Sequence, residues 1–60
     1  MTDPLMYAPA VADRLQRTEA ALRWMVHTGT APKSVIIAGR RVWRESDVES
    51  FIAAAFEEAH

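Results

Sequence analysis

Val11-Ala-Asp-Arg-Leu-Gln-Arg-Thr-Glu-Ala-Ala-Leu-Arg-Trp-Met-Val-His-Thr-Gly29, residues 11–29, holds two helical patterns with almost nothing between them. In the first, Val11, Ala12 and Leu15 share a face while Asp13 and Arg14 point away, and Pro9 suits an opening turn that needs no N–H, so a helix is expected over 9–16. In the second, the Thr18 hydroxyl can cap the helix and Glu19 complements its positive end. Gly29 and the later Pro32 end it near Thr28. Spacing at 100° per residue gathers Leu22, Met25 and Val26 on one side and Ala20, Arg23, Trp24 and His27 on the other. Only a turn around Gln16 and Arg17 joins the two, so they must cross sharply. A helix-turn-helix has this form, although the turn alone would serve an ordinary helical hairpin equally well.

The segments on either side favour the first reading. Ser34-Val-Ile-Ile37 is apolar and β-branched, Ala38-Gly39 is a turn signal, and Arg41-Val-Trp-Arg44 alternates polar with apolar, which predicts a hairpin. Its tip carries Arg40 and Arg41, and Arg44 ends the return strand. A hairpin placed after a second helix of this kind is a wing whose arginines reach phosphates or the minor groove; the alternative is that they keep an exposed edge soluble. Ser46-Asp-Val-Glu49 has the form of a capping box and opens a helix expected over 46–58. Val48, Phe51, Ile52, Ala55 and Phe56 form its core stripe, with Phe56 the residue left over for a partner. Residues 1–7, with Pro4 and no period, are expected to be a tail from which Leu5 and Tyr7 tuck inward, and residues 8–60 a single domain.

Charge is strongly segregated. All seven basic side chains fall between Arg14 and Arg44, giving residues 13–44 seven bases against Asp13 and Glu19, a balance of +5, while residues 45–60 carry five acids and no Lys or Arg. The net charge of −1 conceals this, and such a middle points to a polyanion. Sixty residues bury only about 60% of their unfolded surface, so one small core is expected and no enclosed catalytic cavity. Without cysteine, and with only His27 and His60, neither disulfides nor a zinc site is expected. Ser34, Ser46 and Ser50 lack an activating motif and no phosphate-cradling glycine loop is present, so no enzyme, catalytic residue or cofactor is expected. No stretch nears a membrane span, and a soluble, cytoplasmic, nucleoid-associated protein is expected.

Val11-Ala-Asp-Arg-Leu15, Thr18 opening a helix, Leu22 to Val26 within it, Gly29 and Pro32 closing it, Gly39-Arg-Arg before a Trp-Arg strand and Glu45-Ser-Asp-Val before the last helix occur in order over about residues 8–56. This set resembles the MerR-like winged-helix group of phage excisionases, and in length is similar to those of temperate mycobacteriophages. The resemblance implies a mainly α, winged helix-turn-helix fold with a small β-hairpin. It also implies a recombination directionality factor that binds and bends double-stranded DNA at an attachment site, beside a phage integrase and cooperatively with other copies of itself, to favour prophage excision. A small phage transcriptional regulator using the same face is the alternative. A protein-interaction module docking its acidic last helix on a basic partner is another.

On this reading the second helix enters the major groove with Thr18, Glu19, Ala20, Arg23, Trp24 and His27 on its groove side. Arg23 is the best candidate for a guanine contact, and Arg17, Lys33, Arg40, Arg41 and Arg44 neutralise phosphates. Trp24 is expected to pack in the core or on the hairpin beside Trp43, with stacking on the nucleic acid as the alternative. His27 contacts DNA or stays solvated. The chain departs from the family's pattern at Gln16, where many relatives have glycine, and this predicts a wider or strained turn. It departs again at Ala20 and Ala21, where many have basic or hydroxyl residues, which shifts specificity toward Arg23, His27 and DNA shape.

Overall fold

The computed structural model describes residues 3–59, so the first two residues of the expected tail and His60 lie outside the described residues. Its elements run β1 (Leu5–Met6), α1 (Ala8–Arg14), α2 (Glu19–Thr28), β2 (Val35–Ile37), β3 (Arg40–Arg44) and α3 (Glu45–Glu58). Three helices therefore stand with a three-stranded antiparallel sheet of order β1-β3-β2, and the chain is mainly helical with a hairpin.

The helices begin and end for reasons of local chemistry. Pro9 sits in the first turn of α1, which opens at Ala8 and closes two residues earlier than its apolar pattern suggests. There the chain turns through Gln16 at φ 57°, and the Arg17 N–H closes back on the Ala12 carbonyl at 2.8 Å. This is the left-handed closing position that glycine fills best, so the expected strain at Gln16 is present. In α2 the Thr18 Oγ accepts the Ala21 N–H at 3.0 Å. Gly29 at φ 77° ends it, and the Thr30 N–H reaches the Met25 carbonyl at 2.8 Å.

The hairpin pairs Val35 with Val42, Ile36 with Arg41 and Ile37 with Arg40, leaving Ala38 and Gly39 as a two-residue loop. Both loop residues have positive φ, 51° and 80°, the geometry whose twist suits a two-residue hairpin.

Val11, Ala12, Leu22, Trp43 and Val48 form the buried core, two from α1 and one each from α2, β3 and α3, with Met6, Leu15, Val26 and Ile52 packed around it. Trp43 is 2% exposed and its indole Nε1–H donates to the Pro32 carbonyl at 3.2 Å, which leaves the one polar atom of the ring satisfied.

Two expectations are corrected by the N-terminal segment. Residues 5 and 6 do not form a tail: they pair with β3, Leu5 against Arg44 and Met6 against Trp43, because the central strand offers a second edge that a short extended segment can complete. The Ser46/Glu49 capping box does not form either. The extended residue before α3 is Arg44, and Asp3 serves the helix end from a distance, accepting the Ser46 hydroxyl and, at 3.3 Å, the Ser46 N–H. The Glu45 N–H donates to the Pro4 carbonyl at 2.9 Å. Glu49 is drawn away by Arg14, which holds it through two hydrogen bonds of 2.8 and 2.7 Å and so ties α1 to α3.

Candidate nucleic-acid interface

The apolar side of α2 is committed to the core through Leu22, with Met25 and Val26 half-buried, so its other side is left to solvent. Ala20, Arg23, Trp24 and His27 are all exposed there, in agreement with the helical spacing. On the hairpin, strand alternation sends Trp43 and Arg41 to the α2 side. These two elements wall an open cleft of about 690 Å³ lined by Ala20, Arg23, Trp24, Val26, His27 and Arg41. A smaller recess of about 170 Å³ continues inward past Glu19, Arg23 and Arg41 to Leu22 and Trp43.

The expectation that Trp24 packs beside Trp43 is overturned. Trp43 fills the core, whereas Trp24 is 66% exposed and its ring lies beside that of His27, with centroids 5.8 Å apart and planes tilted by 34°. One core of this size has room for one indole, and the residue on the inward strand position takes it. Trp24 is left as a bare aromatic in the middle of a cationic helix face.

The arginines divide into committed and uncommitted groups. Arg14 is bound by Glu49. Arg44 is bound by Asp47 at 2.8 Å, and the hydrogen bond and charge of that carboxylate raise the guanidinium's pKa above its ordinary value. Arg44 also lies on the sheet face opposite the cleft, since its strand position is one removed from Trp43. Arg40 shares that face, so the structure sets both apart from Arg41, and Arg44 further by its ion pair.

Arg41 donates to the Ser34 hydroxyl at 2.7 Å, a neutral partner that aims the guanidinium without cancelling its charge. Arg40 stacks its guanidinium 4.1 Å from the Tyr7 ring centroid. Among the described residues Arg17, Arg23, Lys33, Arg40 and Arg41 form no ion pair. Arg17, Lys33 and Arg40 do not line the cleft, Lys33 and Arg40 standing on the other face of the hairpin, and Thr18 is used as the helix cap.

Ser34 and Tyr7 escaped the sequence reading as positioning residues. Strand pairing implies Ser34 beside Arg41 once the hairpin register is known, but Tyr7 reaches Arg40 only through β1, whose two residues are too few to show a period. Among the described residues no cluster of His, Asp and Glu could hold a metal ion, and no helix is long and apolar enough to cross a membrane. Comparison with protein families, with characterised proteins and with solved structures found no match to this chain.

Proposed function

We propose that this protein is a DNA-binding module of the winged helix-turn-helix type, with α1 and α2 as the helix pair and the β2–β3 hairpin as the wing. In its most specific form the proposal is a recombination directionality factor: the protein binds and bends an attachment site and biases a phage integrase toward excision. The observation that carries it is the cleft between α2 and the hairpin, where Arg23 and Arg41 have no carboxylate partner among the described residues and line the cleft with an exposed Trp24.

Unpaired guanidinium groups on two elements suit a polyanion that is gripped from both sides. α2 presents Arg23 to a base edge, with Trp24 and His27 offering apolar and stacking contact to bases or sugars. Arg41 from the wing, with Arg17 just before the α2 cap, meets phosphates. Two such phosphate contacts correspond to a log–log salt slope of about −1.8 on duplex DNA. Ala20 and Ala21 add no hydrogen bonds, so DNA shape and deformability contribute to recognition.

Selection of binding sites from random duplexes, followed by titration of Arg23→Ala on selected and random DNA, tests the reading. Arg23→Ala should weaken binding to the selected site by roughly 1–3 kcal/mol more than to random DNA, the value of one bidentate guanine contact. Absence of any selected site, with no salt-dependent binding, would remove DNA from the function. Recombination assays with an integrase then separate an excisionase from a transcriptional regulator: only the first changes the ratio of excision to integration.

A further inference from the structure

The sheet face turned away from α2 is only partly covered among the described residues, Asp47 of α3 reaching it beside Val42 and Arg44. Alternation from the inward-pointing Trp43 places Leu5, Val35, Ile37, Arg40, Val42 and Arg44 on it. Leu5, Val35 and Ile37 are 54%, 55% and 49% exposed, while Val42 is buried beneath them and takes no part in the main core. A shallow pocket of about 250 Å³ opens there, walled by Lys33, Ser34, Val35, Ile37, Val42, Arg44 and Asp47, the last two neutralising each other and leaving Lys33 as the net charge. A contiguous apolar surface on so small a chain marks a contact.

The edge beside this face is also open. β2 is the outermost strand, so the N–H and C=O of its middle residue, Ile36, have no ladder partner, and all three of its side chains are exposed. Such an edge of Val-Ile-Ile is a template for strand addition. Charge decides what it accepts. If β2 of a second copy paired with it in antiparallel fashion about Ile36, Lys33 of each chain would fall beside Gly39 and Arg40 of the other, cation against cation at both ends. The same two cations attract a strand with acidic ends.

We propose that the β2 edge and the outer sheet face form a docking site for an extended segment of a partner protein. This segment adds as a fourth strand, alternates β-branched with polar residues and carries Asp or Glu near its ends. Backbone hydrogen bonds along β2 hold the strand, Val35, Ile37 and Val42 receive alternate side chains, and Lys33 with Arg40 selects the charge. The inference goes beyond the DNA-binding reading and does not depend on it. The cleft lies on the other side of the sheet, so the protein can hold DNA and the strand together and join one to the other.

A random library of 12-residue peptides displayed on yeast, selected against the full-length protein, tests this. Enriched peptides are expected to alternate β-branched residues and to contain Asp or Glu. A synthetic peptide of the enriched consensus should slow hydrogen exchange at the outward Ile36 amide of β2. Val35→Thr combined with Ile37→Thr should weaken that peptide at least tenfold, with melting temperature and DNA affinity unchanged, and Lys33→Glu should weaken it similarly. No enrichment, enrichment of basic or helical peptides, protection outside β2, or a dimer that forms through β2 would each overturn the proposal. So would loss of DNA binding in the Val35/Ile37 double variant, because it would assign this face to the DNA.

Discussion

At the scale of single residues, Gln16 and the two tryptophans show how position overrides residue type. Gln16 holds φ 57° because the 16–17 turn leaves no other way to bring Thr18 into place as the α2 cap. A side chain in the left-handed region costs roughly 1 kcal/mol relative to glycine. Gln16→Gly should therefore stabilise the fold by about that amount and raise the midpoint of thermal unfolding by roughly 4–8 °C; a lower midpoint would show that the Gln16 side chain makes a contact worth more than the strain. Trp43 and Trp24 differ in the opposite sense to their similar chemistry. Trp43→Ala should cost roughly 3–5 kcal/mol, much or all of the roughly 3–9 kcal/mol available to a chain of this length, and leave the protein largely unfolded by circular dichroism. Trp24→Ala should move stability by less than about 0.5 kcal/mol, as expected of an exposed site, while weakening DNA binding. Equal destabilisation by both would place Trp24 in the core.

At the scale of elements, the hairpin is two-sided. Its inward face carries Trp43 and Arg41, and its outward face carries Val42, Arg40 and Arg44. Arg41 keeps its charge because its partner is a hydroxyl, whereas Arg44 is neutralised locally by Asp47. On the DNA-binding reading, Arg41→Ala should flatten the slope of log K against log salt by about 0.9, and Arg44→Ala should leave it unchanged. A fall in slope for Arg44→Ala alone would mean that the Asp47 pair opens on binding and that the outward face touches the phosphates. The hairpin was legible from its β-branched run and Ala38-Gly39 turn, and its register follows from the two-residue loop. Which arginine keeps its charge was not legible, since Ser34 and Asp47 compete for neighbours by geometry that a string of letters does not express.

At the scale of the whole molecule, the N-terminal segment binds the halves together. Asp3 closes the start of α3, Pro4 accepts from Glu45, and Leu5–Met6 completes the second edge of β3, so one short run meets both the sheet and the last helix. A helix start with no side-chain cap of its own depends on this distant carboxylate. Asp3→Ala should destabilise the fold by roughly 1 kcal/mol, the usual value of a lost cap, and should speed hydrogen exchange in the first turn of α3 and in β1. Faster exchange at β1 without loss of stability would show that the cap and the strand are independent.

Local chemistry was enough to place three helices and a hairpin, because caps, glycine stops and apolar spacing act within a few residues of each other. It also placed Arg23 and His27 on the open side of α2, since helical geometry assigns a face without reference to the rest of the fold. Contacts between distant segments followed a different rule. The pairing of Leu5–Met6 with β3, the capture of Ser46 by Asp3, the diversion of Glu49 to Arg14 and the choice of Trp43 over Trp24 for the core each join residues 19 to 43 positions apart in the chain, counting the two tryptophans as rivals. Such choices arise only when the elements compete for one small interior and for the few free backbone groups at its margins, and packing in three dimensions settles that competition.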